Sequence, residues 1–182
     1  ALRILRQVPE ILHEFQARYH YFCVDEAQDT SRIQHAIVSL LAGAGGNLFL
    51  VGDEDQSIYG FRAACPDMLL HFEADHPGAK VLFLEQNYRS TPQILSVANS
   101  LIARNTDRME KSLLPTLPDG APVRLHHARS AADEAAWMAA QMQALHDGGT
   151  PYRDMAVLYR AHYITRGVEE LLLKEKIPYT IY

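Results

Sequence analysis

The sequence predicts an α/β fold built on parallel strands, and three observations carry that prediction. Short apolar runs alternate with stretches of helical periodicity along the 182 residues, the pattern of strand–helix–strand units. Three early runs, Tyr21-Phe22-Cys23-Val24, Leu48-Phe49-Leu50-Val51 and Val81-Leu82-Phe83-Leu84, each end in a polar cluster. Open α/β sheets hold ligands at the carboxyl ends of their strands, so these three junctions form the candidate site.

The elements follow in order. Ile4, Leu5, Val8, Ile11, Leu12 and Phe15 recur at helical spacing, and Pro9 divides them into a short helix and a second one. After the first, buried strand, Ser31 to Ala42 reads as a helix with Ile33, Ile37, Leu40 and Leu41 on one face. Gly43-Ala44-Gly45-Gly46-Asn47 ends it before the second strand. Pro66 to Ala74 is a short helix with Met68, Leu69 and Phe72 inward, and His76-Pro77-Gly78 turns into the third strand. Ser90-Thr91-Pro92-Gln93 is a helix start, with a hydroxyl cap, a first-turn proline and Gln93 three residues on. Ile94, Ala98, Leu101 and Ile102 line its inner face.

Residues 105–120 read as a loop, and Val123-Arg124-Leu125-His126 alternates like a strand. Ala131 to His146 is a helix with Ala135, Met138, Met142 and Leu145 inward, closed by Gly148-Gly149. Met155–Tyr159 is a strand, Ile164 to Lys174 a helix with Val168, Leu171 and Leu172 inward, and 177–182 begins another strand.

Apolar residues make up 48% and charged residues 21% of the chain, the balance of a soluble globular protein of one or two domains. Seventeen basic against 22 acidic residues leave a net charge of −5. A generic basic clamp on nucleic acid is excluded, so any strand binding needs a local groove with aromatic stacking. Cys23 and Cys65 lack metal spacing and read as reduced thiols of a cytoplasmic protein. The nine histidines show no ligand spacing. No apolar run approaches the roughly 20 residues of a membrane helix, and no signal peptide is visible. The chain starts at Ala1 and stops inside a strand-like run, which reads as a fragment.

In the first junction, Val24-Asp25-Glu26-Ala27-Gln28-Asp29-Thr30, Asp25 suits magnesium as a hard carboxylate. Glu26 suits a base that orients or deprotonates water, and Gln28 and Asp29 would link to neighbouring loops. The competing reading has these acids capping the helix that begins near Ser31, where the dipole favours them. It accounts for Asp29 but not for Asp25 and Glu26, a full turn too early. In the second junction, Gly52 to Arg62, Gln56 has the donor and acceptor needed to sense a γ-phosphate. Tyr59, Phe61 and Arg62 form an aromatic and cationic set suited to stacking on single-stranded bases; the alternative tucks the rings into the core. In the third, Tyr88 and Arg89 suit a purine face and a phosphate; the alternative packs Tyr88 and pairs Arg89 with Glu85.

Taken together, VDEAQDT, VGDEDQSIYGFRAA and LEQNYRSTPQIL resemble motifs II, III and IV of the superfamily 1 DNA helicases of the UvrD/Rep/PcrA type. The resemblance is strong over residues 21–102 and extends to the AVLYRAH and GVEELLLKEKIPYTIY segments. It implies a RecA-like P-loop NTPase motor, with residues 1–84 the later half of domain 1A and 85–182 the start of domain 2A. It implies ATP and Mg2+ as cofactors, with Asp25 on the metal, Glu26 as catalytic base and Gln56 coupling the γ-phosphate to the strand. Tyr88 would stack on adenine and Arg89 would reach the γ-phosphate from the second domain. Tyr59, Phe61 and Arg62 would contact DNA, Phe61 standing where many relatives carry Trp. The implied function is 3′–5′ translocation and unwinding on single-stranded DNA and duplex junctions, in repair or replication.

The phosphate loop G-x-x-x-x-G-K-[ST] is not found in these residues, and the Gly43–Gly46 run has no Lys and follows a helix. The expectation is therefore that this chain alone does not hydrolyse ATP efficiently. Exposed apolar sheet edges are also expected. Ala63 stands where Gly is commoner, a mild departure. Two other readings are a truncated, non-catalytic relative that binds DNA or a partner, and the motor part of a nuclease–helicase fusion.

Overall fold

The computed structural model describes residues 1–43 and 45–182, the side chain of His162 excepted. The chain divides into two compact units, Ala1–Val123 and Arg124–Tyr182.

The first unit opens with α1 (Leu2–Gln7) and α2 (Pro9–Arg18). Pro9 sits in the first turn of α2, where its missing N–H costs nothing. Strand β1 (Tyr21–Val24) crosses over through α3 (Arg32–Ala42) to β2 (Asn47–Leu50). The two strands pair in parallel, Tyr21 opposite Asn47 and Val24 opposite Leu50. Ser31 starts α3 with a capping box: its Oγ accepts from the Gln34 N–H, and its own N–H donates to Gln34 Oε1. Gly43 closes the helix, and Ala44 of the expected terminator lies outside the described residues. β1 is not the buried strand expected, because a two-stranded sheet leaves its residues alternately exposed and half-buried.

Beyond β2 lie two single 3-10 turns, Glu54–Gln56 and Gly60–Arg62. The helix expected from Pro66 to Ala74 is broken at His71 into α4 (Asp67–Leu70) and α5 (Phe72–Asp75). The unit closes with β3 (Gln86–Asn87), α6 (Pro92–Ile102) and β4 (Leu114–Pro115). β3 and β4 pair in parallel, so the expected loop 105–120 contains a short strand.

The expected strand at Val81–Leu84 forms no ladder; pairing begins only at Gln86. Leu82 and Leu84 are 80% and 88% exposed. The segments expected as strands at 123–126, 155–159 and 177–182 likewise adopt no strand. Alternating apolar residues make a segment fit for a sheet, but a strand exists only where a neighbour meets its N–H and C=O groups. Among the described residues those neighbours are absent, and the apolar edges anticipated from the sequence stay open to solvent.

The face of α6 is rotated from expectation. Leu95 is buried, whereas Ile94 and Leu101 point outward. Asn99 decides this: its Nδ2 donates to the Leu113 carbonyl at 3.0 Å and its Oδ1 accepts from the Leu113 N–H at 3.3 Å. The cap also differs from expectation. Thr91, not Ser90, precedes the helix without a side-chain bond, and Gln93 bonds Asp119 and the Gly120 N–H instead. Ile33 and Leu145, both expected inward, are exposed.

The second unit packs α7 (Ala131–Asp147), capped by Ser130, against α8 (Thr165–Lys174). Ala139, Leu172 and Ile177 form its core, flanked by Met142, Tyr152, Val168 and Leu171. No helix among the described residues is long and apolar enough to cross a membrane.

Candidate functional site

The site is assembled where β1 and β2 end side by side. The parallel ladder runs one step past both strands: the Val51 N–H donates to the Val24 carbonyl at 2.8 Å and the Ala27 N–H to the Val51 carbonyl at 2.9 Å. The first two junctions are thereby neighbours at the carboxyl edge, as the strand–helix–strand rule requires.

Asp25 and Glu26 are exposed at this edge. Glu26 is held at φ 50°, ψ 44°, a left-handed conformation that costs a non-glycine residue about 1–2 kcal/mol. Its N–H donates to Asp25 Oδ1 at 2.9 Å. Such strain persists only where the surroundings over-determine it: the Glu26 carbonyl accepts the Asp29 N–H at 2.9 Å and the next N–H, of Ala27, is tied to Val51, while Gln28 fixes the Glu26 carboxylate. Gln28 is 2% exposed. Its Nε2 donates to Glu26 Oε2 at 2.7 Å, and its Oε1 accepts the Asp53 N–H at 3.0 Å. The helix-cap role considered for Asp29 is taken by Ser31; Asp29 Oδ1 is buried without a hydrogen-bond partner among the described residues.

Close approach of the two junctions depends on Gly52. A Cβ there would lie 2.6 Å from Gln28 Oε1, 2.8 Å from Leu69 Cδ1 and 3.1 Å from the Ala27 nitrogen. From Gly52 the network continues through Asp53, whose Oδ2 accepts from Gln56 Nε2 at 2.6 Å. Glu26, Gln28, Asp53 and Gln56 are therefore one hydrogen-bonded chain.

The three acids Asp53, Glu54 and Asp55 lie within 4.8 Å of one another. Their charge is met by two cations from the 105–111 segment. Arg108 grips Asp55 through Nε at 3.1 Å and Nη2 at 2.7 Å. Lys111 Nζ lies 3.1 Å from Asp53 Oδ1, 2.5 Å from Glu54 Oε1 and 3.3 Å from Asp55 Oδ2. The Met109 N–H adds a bond to Glu54. Burial pushes the Asp55 carboxyl up, but the Arg108 and Lys111 contacts outweigh it and hold it below the usual range. Burial likewise pulls the Lys111 ammonium down, and Glu54 and Asp53 reverse this, leaving it above the ordinary lysine value. Sequence reasoning missed Arg108 and Lys111. The available signal was the three consecutive carboxylates, which demand counter-charges when drawn together.

Tyr59, Phe61 and Arg62 do converge. The rings lie 5.7 Å apart, and the guanidinium sits 4.9 Å from the Tyr59 centroid and 5.5 Å from that of Phe61. Phe61 is 78% exposed, Arg62 is exposed and Tyr59 is half-buried. Ala63, at φ 61°, terminates the turn in the left-handed region.

Tyr88 and Arg89 follow β3, both exposed. Tyr88 Oη donates to Gln86 Oε1, and Asn87 Oδ1 accepts the Arg89 and Ser90 N–H groups. The pairing of Arg89 with Glu85 does not occur; Glu85 accepts the Ser112 N–H. No hydrogen bond or ion pair among the described residues joins Tyr88 or Arg89 to Asp25, Glu26 or Gln56, so the third junction stands apart from the first two.

Residues 1–77 match the UvrD/REP helicase N-terminal domain, and residues 82–182 match the UvrD-like helicase C-terminal domain. The chain is 41% identical over 180 residues to the ATP-dependent DNA helicase PcrA of Staphylococcus aureus, covering 99% of this chain and 25% of that protein. It is 42% identical over 180 residues, with the same coverage, to the PcrA of Staphylococcus epidermidis. The chain thus spans about a quarter of the length of the curated relatives it matches. By both halves of its length, it belongs to the UvrD-like family of helicases.

Proposed function

We propose that these residues are part of an ATP-dependent 3′–5′ DNA helicase of the cytoplasm, a RecA-like motor that translocates on single-stranded DNA and opens duplex junctions in repair or replication. In this reading residues 1–84 are the later half of motor domain 1A and 85–182 begin domain 2A. The observation that carries it is the chain Glu26–Gln28–Asp53–Gln56 across the ends of two adjacent parallel strands. That arrangement ties a water-activating carboxylate to an amide able to sense a phosphate.

The residues fit a magnesium nucleotide. Asp25 and Glu26 are exposed carboxylates that no Lys or Arg among the described residues neutralises, whereas Asp53–Asp55 already have Lys111 and Arg108. Asp25 is therefore uncommitted to any protein cation among the described residues, and as a hard oxygen donor at the strand end it is the residue that would hold Mg2+. When bound, the magnesium nucleotide supplies the phosphoryl group that water attacks.

Glu26 orients that water and takes up its proton; Gln28 holds the carboxylate by one oxygen, so its aim survives side-chain motion. Gln56, steadied by Asp53, relays the state of the phosphates to the adjoining Tyr59–Phe61–Arg62 turn. Those side chains stack on bases and pair with the DNA backbone. Tyr88 offers its exposed ring to adenine, and Arg89 offers charge to the γ-phosphate.

The test uses the full-length helicase. Glu26→Gln is expected to abolish DNA-stimulated ATP hydrolysis while leaving nucleotide binding within a few-fold, a loss on the order of 10²–10⁴. Turnover within a few-fold of wild type removes Glu26 as the base. Arg89→Ala is expected to cost on the order of 10³–10⁵ in turnover; a near-normal rate removes it from the site.

A further inference from the structure

The cations bound to Asp53–Asp55 do more than neutralise charge. Lys111 touches all three carboxylates, and its contact with Asp53 lies on the oxygen opposite the one that receives Gln56. Asp53 Oδ1 takes the ammonium at 3.1 Å and Oδ2 takes the Gln56 amide at 2.6 Å. Asp53 is also the residue whose N–H is held by Gln28. Its N–H and both carboxylate oxygens are therefore engaged, and Asp53 is the side-chain partner through which the Gln56 amide is held.

Lys111 itself is placed by Arg108. The guanidinium binds Asp55 bidentately and donates from Nη2 to the Lys111 carbonyl at 3.1 Å. The side chains of Arg108, Lys111, Glu54 and Asp55 are 14%, 16%, 5% and 10% exposed. A cluster so enclosed is far less screened than a surface pair, and its geometry is correspondingly firm.

We propose that Lys111 is a positioning residue for Gln56: it clamps Asp53 so that the Gln56 amide is held in register with the Gln28–Glu26 pair, and Arg108 anchors the clamp. This rests on the helicase reading above, in which 105–111 belongs to the second motor domain and Gln56 to the first. On that reading the clamp joins the phosphate sensor of one domain to a segment of the other. Nothing in Lys111 needs to touch nucleotide or DNA for this role.

The experiment uses the full-length helicase with single-stranded DNA and ATP. Lys111→Met removes the charge and keeps the aliphatic stem; Lys111→Arg restores the charge. Lys111→Met is expected to lower DNA-stimulated kcat by about tenfold to a hundredfold, the scale of a misplaced catalytic group, with KM for ATP within about twofold. Lys111→Arg is expected to recover most of that loss. Asp53→Asn is expected to give a similar loss, and the double variant no more than either alone, because both act through one contact. Unchanged kcat in Lys111→Met, or losses that multiply in the double variant, overturn the proposal.

A rise in KM without a fall in kcat would mark a binding role and overturn it as well. Should the wild-type protein lack DNA-stimulated hydrolysis, the helicase reading fails, and the positioning role with it. The clamp contact is then judged separately, by whether the melting shifts of Lys111→Met and Asp53→Asn are non-additive.

Discussion

Gly52→Ala probes the closest approach in the site. The added methyl would meet Gln28 Oε1 at 2.6 Å and Leu69 Cδ1 at 2.8 Å, both far inside ordinary contact distance, and the Ala27 nitrogen at 3.1 Å. Leu69 is a flexible end and yields cheaply. Gln28 does not: it is 2% exposed and bonded at both ends of its amide. Relief therefore means displacing the amide, breaking the bond from the Asp53 N–H and loosening the one to Glu26. Overpacking costs about 1–3 kcal/mol, and a lost buried hydrogen bond adds about 1 kcal/mol. The sum is about 2–4 kcal/mol. At about 2–4 °C per kcal/mol for a protein of this size, the melting temperature should fall by roughly 5–15 °C. Differential scanning calorimetry of the variant measures it, and hydrolysis in the full-length protein should fall in parallel. A melting temperature within 2 °C of wild type, with Glu26 function intact, refutes the idea that the two junctions need glycine to meet.

Four further predictions concern charge and backbone. Arg108→Met should destabilise the protein, by less than removal of the whole cluster because Lys111 still reaches Asp55; urea denaturation at pH 7 tests it, and an unchanged midpoint counts against a stabilising role for the pair. Asp55 is held below its ordinary 3.8, so its contribution is present above that value and is lost as pH falls through the lower folded value; the Arg108→Met deficit should shrink below about pH 4. His35 is depressed below 6.5 by burial first and then by His76, with Asp75 opposing. Its neighbours are Ser39 Oγ and the edge of His76, and its Nε2 is buried without a partner among the described residues. The unfolded chain thus binds the proton more readily, and stability should drop as pH falls through 6.5; His35→Gln should flatten that slope between pH 7 and 5 in denaturation midpoints. Ala63→Gly should stabilise the turn by a few tenths to about 1 kcal/mol, since φ 61° strains alanine more than glycine's extra chain entropy costs; a lower melting temperature would contradict this.

The site was legible in outline because its chemistry is local. Asp25-Glu26 directly after one apolar run, and Asp53 to Gln56 directly after another, mark carboxyl ends of strands whatever the sheet does beyond them. The crossover helix was legible for the same reason: Ser31 and Gln34 form a capping box from within one turn. Periodicity alone could not say which face of α6 is buried, because Ile94 and Leu95 are equally apolar neighbours. Asn99, a polar residue that periodicity sets aside, chose between them by bonding Leu113.

What the sequence by itself determined is the order of elements around β1 and β2, the two acidic junctions that follow them and the aromatic turn that ends at Arg62. These depend on residues within a few positions of each other, where propensity, capping and spacing act directly. Only the tertiary structure decided which apolar runs become strands, since the runs at 81–84, 123–126, 155–159 and 177–182 have the composition but no ladder beside them. Only it revealed that Arg108 and Lys111, more than fifty positions along the chain, close around Asp53–Asp55. Backbone pairing and charge neutralisation both need a second group brought from far away, and no local pattern encodes where that group will come from.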